Sequence, residues 1–204
     1  MRNVNRKQQE GAVLIVTLVI LLVVTLLGAS TIDSSNMNLK IATSDKNRQQ
    51  LFQAAEATLT IAEQQIENNG PNDAVLQNCP SGSAACFDDT CANGWCFNGS
   101  YSAGDDQFDC ALSTVNPPPE KYWRDTVLDV WNDNTKHLTA SVNGVSQNTK
   151  YIVEFLCFIE RGDGSPFNAS NPNNGAPLFR ITALAEGVNG KGQVMLQSTY
   201  RYIN

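Results

Sequence analysis

Histidine is almost missing from this 204-residue chain, cysteine is missing before Cys79, and proline is missing from Ala12 to Asn68. Each gap excludes something. One histidine, His137, is too few for multi-histidine metal sites or conventional catalytic triads. The serines stand in Gly- and Asn-rich company without a G-x-S-x-G elbow, and no phosphate-cradling glycine loop occurs. The cysteines form no C-x-x-C pair of the kind structural zinc sites use. Asp88, Asp89, Asp105, Asp106 and Asp109 cluster without the EF-hand pattern. The expectation is a protein that is not an enzyme and holds no metal or cofactor. The formal charge of −6, with basic residues scattered, argues against direct nucleic-acid binding.

Charge is the next absence. Gly11 to Ile32 carries none and is dominated by Leu, Val and Ile. At about 1.5 Å per residue this run is long enough for a bilayer core of about 30 Å. It exceeds the 7–15-residue apolar stretch typical of a cleaved secretory signal, and "LLGAS" only weakly imitates a small-x-small cleavage site. Arg2, Arg6 and Lys7 precede the run and Asp33 follows it, so the positive-inside bias exports everything beyond. Export agrees with cysteine usage. Cys79, Cys86, Cys91, Cys96, Cys110 and Cys157 read as disulfide candidates of an oxidising compartment, with the pairing left open.

The proline-free stretch continues well past the apolar run. Leu51, Ala55, Leu59, Ala62 and Ile66 recur at helical spacing on one face, among good helix formers. "NNGP" at 68–71 then supplies a stop signal. The expectation is one helix over 12–68, its apolar part at 12–32 and its second half striped for packing on a protein surface.

Beyond Pro71 the composition changes. Residues 79–110 read as a disulfide-held loop with Trp95, Phe97 and Phe108 as local anchors, and "NPPPEKYW" at 116–123 as a stiff connector. Strands are expected at 150–160, 176–186 and 192–202, with "GVNGKG" as a hairpin connection. In 150–160, Tyr151, Val153, Phe155, Cys157 and Ile159 share one face, and Ile152, Leu156 and Phe158, interrupted by Glu154, share the other. "DTVLDVW" at 125–131 is a weaker strand or short-helix candidate. A helix stripe covering an antiparallel sheet makes the fold class α+β.

This arrangement resembles the type IV pilins and their relatives in type II secretion. The closest likeness is to the PilX minor pilins. It is carried by "GAVLIVTLVILLVVTLLGAS" at 11–30, "NRQQLFQAAEATLTIAE" at 47–63 and "RITALAEGVNGKGQVMLQSTYRY" at 180–202. The resemblance implies a pilin-like fold with a leader at 1–11, cleaved between Gly11 and Ala12 by a prepilin peptidase, and methylation of the new N-terminus. It implies an assembly helix including Val13, Leu14, Val16, Leu18, Leu21 and Leu22, and an exported head at 72–204. Other minor pilins and the major pilin would be partners, with the inner membrane holding the chain before assembly.

Major pilins carry glutamate at the fifth mature position, which here is Val16, and leaders of this kind usually end in a basic residue where this one has Glu10. The implied function is priming or supporting pilus assembly near the tip, with twitching and adhesion following indirectly. A tip pseudopilin of type II secretion, or an adhesin head on a simple anchor, are the alternative readings.

Overall fold

The computed structural model describes residues 9–69, 86–97, 109–110, 121–142, 148–160, 162 and 175–203. The leader before Gln9, Cys79, Phe108, Asp105, Asp106 and the three prolines of the connector lie outside them. The chain divides into two compact units, Met1–Lys46 and Asn47–Asn204. One helix, α1 (Gln9–Asn69), supplies all the described structure of the first unit and opens the second.

In the second unit, α1 buries Leu51, Ala55, Ala62 and Ile66 completely or nearly so, and Leu59 partly. The buried face is wider than the five-residue spacing suggests, because Ala54 and Thr58 are also buried. Thr58 is tolerated there because its hydroxyl donates to the Ala54 carbonyl, 2.7 Å away, so no polar group is stranded. Three alanines on this face leave little side-chain bulk between helix and sheet.

Among the described residues the sheet has five strands: β1 (Trp95–Cys96), β2 (Leu138–Ala140), β3 (Asn148–Glu160), β4 (Gly175–Glu186) and β5 (Gln193–Arg201). β3, β4 and β5 are antiparallel neighbours, and β2 joins β3 antiparallel. β1 departs from the expected antiparallel arrangement. It pairs with β3 in parallel, so the sheet is mixed. A parallel pair needs a long connection, and the chain from β1 to β3 provides one.

Register places Tyr151, Val153 and Phe155 opposite Ala183, Ile181 and Phe179, all on the face that meets Leu59, Ala62 and Ile66. The strict alternation expected for β3 fails after Phe155. The pairing with β4 slips between Phe155 and Cys157, a bulge that brings Phe158 onto the same side as Phe155, with ring centroids 5.1 Å apart. Phe158 therefore belongs to the helix-side core and not to the opposite face.

The cysteine-rich segment does more than hold itself together. Phe87, Trp95 and Phe97 enter the main core, where Phe87 stacks on Phe179 and Phe97 meets Phe155 edge-on. Cys91–Cys96 and Cys110–Cys157 are disulfide-bonded, and Cys86 is bonded as well. On the opposite face, Cys91, Cys96, Tyr122, Val130 and Ile152 form a second cluster, flanked by Trp123, Leu128 and Trp131.

Residues 125–131 are neither strand nor regular helix. They form hydrogen-bonded turns over that second face.

Candidate functional site

Two features invite a functional reading: the apolar half of α1 and the polar groups buried in the head. In the first unit, the large aliphatic side chains from Val13 to Leu26 are 47–68% exposed, and this holds around the whole circumference. Thr17 and Thr25, the hydroxyl groups in that stretch, donate to the Leu14 and Leu22 carbonyls and so present little polarity outward. A helix apolar on every side demands a nonpolar surrounding, lipid or protein. Val13, Leu14, Val16, Leu18, Leu21 and Leu22 all lie on this exposed surface, and Val16 is 56% exposed. Met37, Leu39 and Ile41 extend apolar exposure further along. Among the described residues, no helix is long and apolar enough to cross a membrane. Side chains 29–34, across which the uncharged run ends, lie outside the described set.

Several of the head's ionisable groups are occupied in holding the fold. Glu154, which interrupts the apolar pattern of β3, is 1% exposed and sits opposite Arg180 on β4. Arg180 donates from Nε to Glu154 Oε2 and from an Nη to Oε1, both at 2.7 Å. The same Oε1 accepts the Tyr122 backbone N–H at 3.0 Å, which ties the 121–137 segment to the sheet. His137, also buried, donates from Nδ1 to the Val130 carbonyl at 2.7 Å. Lys150 donates to the Trp131 carbonyl and pairs with Glu186 at 3.0 Å.

The aspartates do similar work. Asp88 Oδ1 accepts from Thr90 N, Thr90 Oγ1 and Ala92 N, closing the turn inside the Cys91 region. The backbone N–H groups of Leu128 and Val127 hold the Asp125 carboxyl below its ordinary range. Asp133 is lowered by the hydroxyl and backbone N–H of Thr135. These are Asx-type turns, in which a carboxylate substitutes for a backbone acceptor. No group of three or more His, Cys, Asp or Glu that could hold a metal occurs among the described residues.

Two tyrosines stand out. Burial pushes Tyr151 up to about 12. Tyr200 also rises to about 12, first through desolvation and then through its hydrogen bond to Glu67. Tyr200 sits beside a shallow groove of ≈ 470 Å³, lined also by Thr60, Glu63, Gln64, Glu67 and Asn68.

Sequence reasoning named the helix stripe and the cysteines but missed the Glu154–Arg180 pair and the Asx-turn segment over the second face. The signal for the latter was present: "RDTVLDVWNDNTK" at 124–136 is dense in Asp and Asn with a threonine two residues beyond Asp133. No local signal identifies Arg180 as the partner of Glu154, because that depends on register.

Residues 10–60 match the PilX N-terminal family model, and residues 63–202 match the model described as Type IV pilus assembly protein PilX C-term. No curated protein and no solved structure matches the chain.

Proposed function

The chain belongs to the PilX family of type IV pilus assembly proteins, and on that premise we propose that it is a non-enzymatic minor pilin that primes or supports the pilus near its tip. Family membership carries a role in pilus assembly, contact with other pilus components and a place in the cell envelope. The finer reading rests on the exposed apolar surface of α1 from Val13 to Leu26. Before assembly that surface sits in the inner membrane, with the head in the periplasm. After cleavage between Gly11 and Ala12 by a prepilin peptidase, it packs among the equivalent helices of other minor pilins and the major pilin.

Val16 bears on position in the fibre. A carboxylate at this depth pairs with a neighbouring subunit's terminal ammonium and offsets the cost of desolvating both. No carboxylate occurs between Gly11 and Ile32, so a subunit stacked above this one has an amine without that partner. A subunit at the end of the fibre has nothing above it and incurs no such cost, which supports a tip or priming role.

The test is deletion with complementation. Loss of surface pili on deletion, restored by the full chain but not by a chain with Gly11 replaced, supports the reading. Normal piliation without the protein excludes it. Intact mass of the protein recovered from fibres checks the processing step, and a chain beginning anywhere other than Ala12 contradicts it.

A further inference from the structure

The two margins of the sheet are treated very differently. The outer edge of β3 is shared by β2, β1 and a bridge from Asp109 to Phe158, so short segments cover its length. The opposite margin is β5, paired only with β4 among the described residues. Exposed edge strands are usually blunted by proline, lysine, a bulge or an inward charge. β5 has none of these. Its nine residues, "QVMLQSTYR", run in unbroken register with β4 from Gln193 to Arg201, and its single charge is at the last position. It therefore offers a regular row of outward backbone donors and acceptors.

Beside this edge lies the groove between α1 and the end of β5. Glu63 and Glu67 face it one helical turn apart, a like-charge pair that is mildly unfavourable to the helix. Their described contacts are to hydroxyls: Ser198 Oγ lies 3.4 Å from Glu63, and Tyr200 Oη donates to Glu67. Neither carboxylate has a cation partner among the described residues. The strand edge and the acidic groove adjoin at Ser198 and Tyr200.

We propose that β5 accepts an extended segment of a partner protein as an added strand, with a lysine or arginine of that segment seated between Glu63 and Glu67. Backbone pairing supplies the affinity and the cation supplies register and selectivity. A second copy of this chain is a poor occupant. The helix-side residues of its β5, Val194, Leu196, Ser198 and Tyr200, bring no cation, and pairing edge to edge brings two Glu63–Glu67 pairs toward each other. This inference is independent of the assembly role: a chain dispensable for piliation can still bind the strand, and an assembly factor can lack this site.

The full chain in detergent is titrated with a labelled nine-residue peptide alternating valine and threonine around a central lysine, followed by fluorescence anisotropy. Three control peptides replace the lysine with glutamate, or N-methylate alternate amides along one edge or along the other. The expected result is saturable binding of the lysine peptide and at least about tenfold weaker binding of the glutamate peptide. One of the two N-methylated phases should fail to bind. The double variant Glu63→Gln/Glu67→Gln should weaken the lysine peptide about tenfold while melting at or above the wild-type temperature, which separates binding from folding. Equal affinity for the lysine and glutamate peptides overturns the proposal. So do unimpaired binding of both methylated phases and an absence of binding up to millimolar peptide. Self-association that competes with the peptide, seen by sedimentation, assigns the edge to a second copy and equally overturns it.

Discussion

Glu154 and Arg180 show how one residue can be misjudged from its neighbours. A glutamate between Ile152 and Leu156 on one strand face looks like an interruption, yet it is among the least exposed side chains in the head. Its two oxygens receive three N–H groups, two from Arg180 and one from Tyr122. Arg180→Ala leaves a buried carboxylate without its cation and should destabilise the head by about 3–5 kcal/mol. Replacing both partners, as Glu154→Leu with Arg180→Met, should cost distinctly less, because no charge is then left uncompensated. Denaturant unfolding of the two variants decides between these costs, and equal losses would show that the pair's charge is not what matters.

The two raised tyrosines make a second residue-scale prediction. A proton bound more tightly in the folded than in the unfolded state contributes stability below the unfolded pKa. That contribution is lost as pH rises through the folded value. For Tyr151 and Tyr200 the window runs from 10.0 up to about 12. Absorbance titration of the phenolates should therefore show at least two late-ionising groups, and Tyr200→Phe should remove one of them. Ionisation of all tyrosines near 10 would contradict the burial and the Glu67 contact.

At the scale of elements, α1 is held to the sheet by a stripe of small and aliphatic side chains. Ile66, fully buried in the main core, is a sensitive probe: Ile66→Ala should cost about 2–5 kcal/mol. The two disulfides with known partners close loops of very different length, with sequence separations of 5 for Cys91–Cys96 and 47 for Cys110–Cys157. In the chain-entropy account, paired serine substitution should cost about 2 kcal/mol for the first and about 4 kcal/mol for the second. Thermal or denaturant unfolding in oxidising buffer gives the comparison. A larger loss from the short loop would mean that packing of Cys91 and Cys96 in the second-face cluster outweighs loop closure.

The hairpin from β4 to β5 is a further element whose geometry has a purpose. Gly187 donates to the Gly192 carbonyl, and a Cβ on Gly187 would fall 2.3 Å from the Lys191 oxygen. That oxygen accepts the Asn47 side-chain amide at 2.6 Å. The glycine lets the turn close tightly enough for its carbonyl to reach the helix.

At the scale of the whole molecule, the proposed role depends on an apolar rod that is stable in lipid and also among protein helices. Val16→Glu tests the tip assignment most directly, since it introduces the missing carboxylate without altering the head. If stacking above this subunit is limited by an unpaired amine, the variant should enter fibres in more copies, measured as its ratio to the major pilin in sheared pili. An unchanged ratio would place the limit elsewhere, in the head surfaces.

The sequence by itself determined the long helix, its uncharged run from Gly11 to Ile32 and three of the strands. These features follow from local composition and period, which require no knowledge of what lies across the fold. The use of the cysteines as disulfides was legible for the same reason, as was the family resemblance carried by the two ends of the chain. Tertiary structure alone decided the parallel entry of Trp95–Cys96, the slip after Phe155 that turns Phe158 inward, and the pairing of Cys91 with Cys96 and Cys110 with Cys157. It also decided that Glu154 meets Arg180 and that Glu63 and Glu67 border a strand with one pairing partner among the described residues. Each of these depends on register between segments far apart in the chain. A one-residue shift exchanges the faces of a strand while leaving its composition untouched.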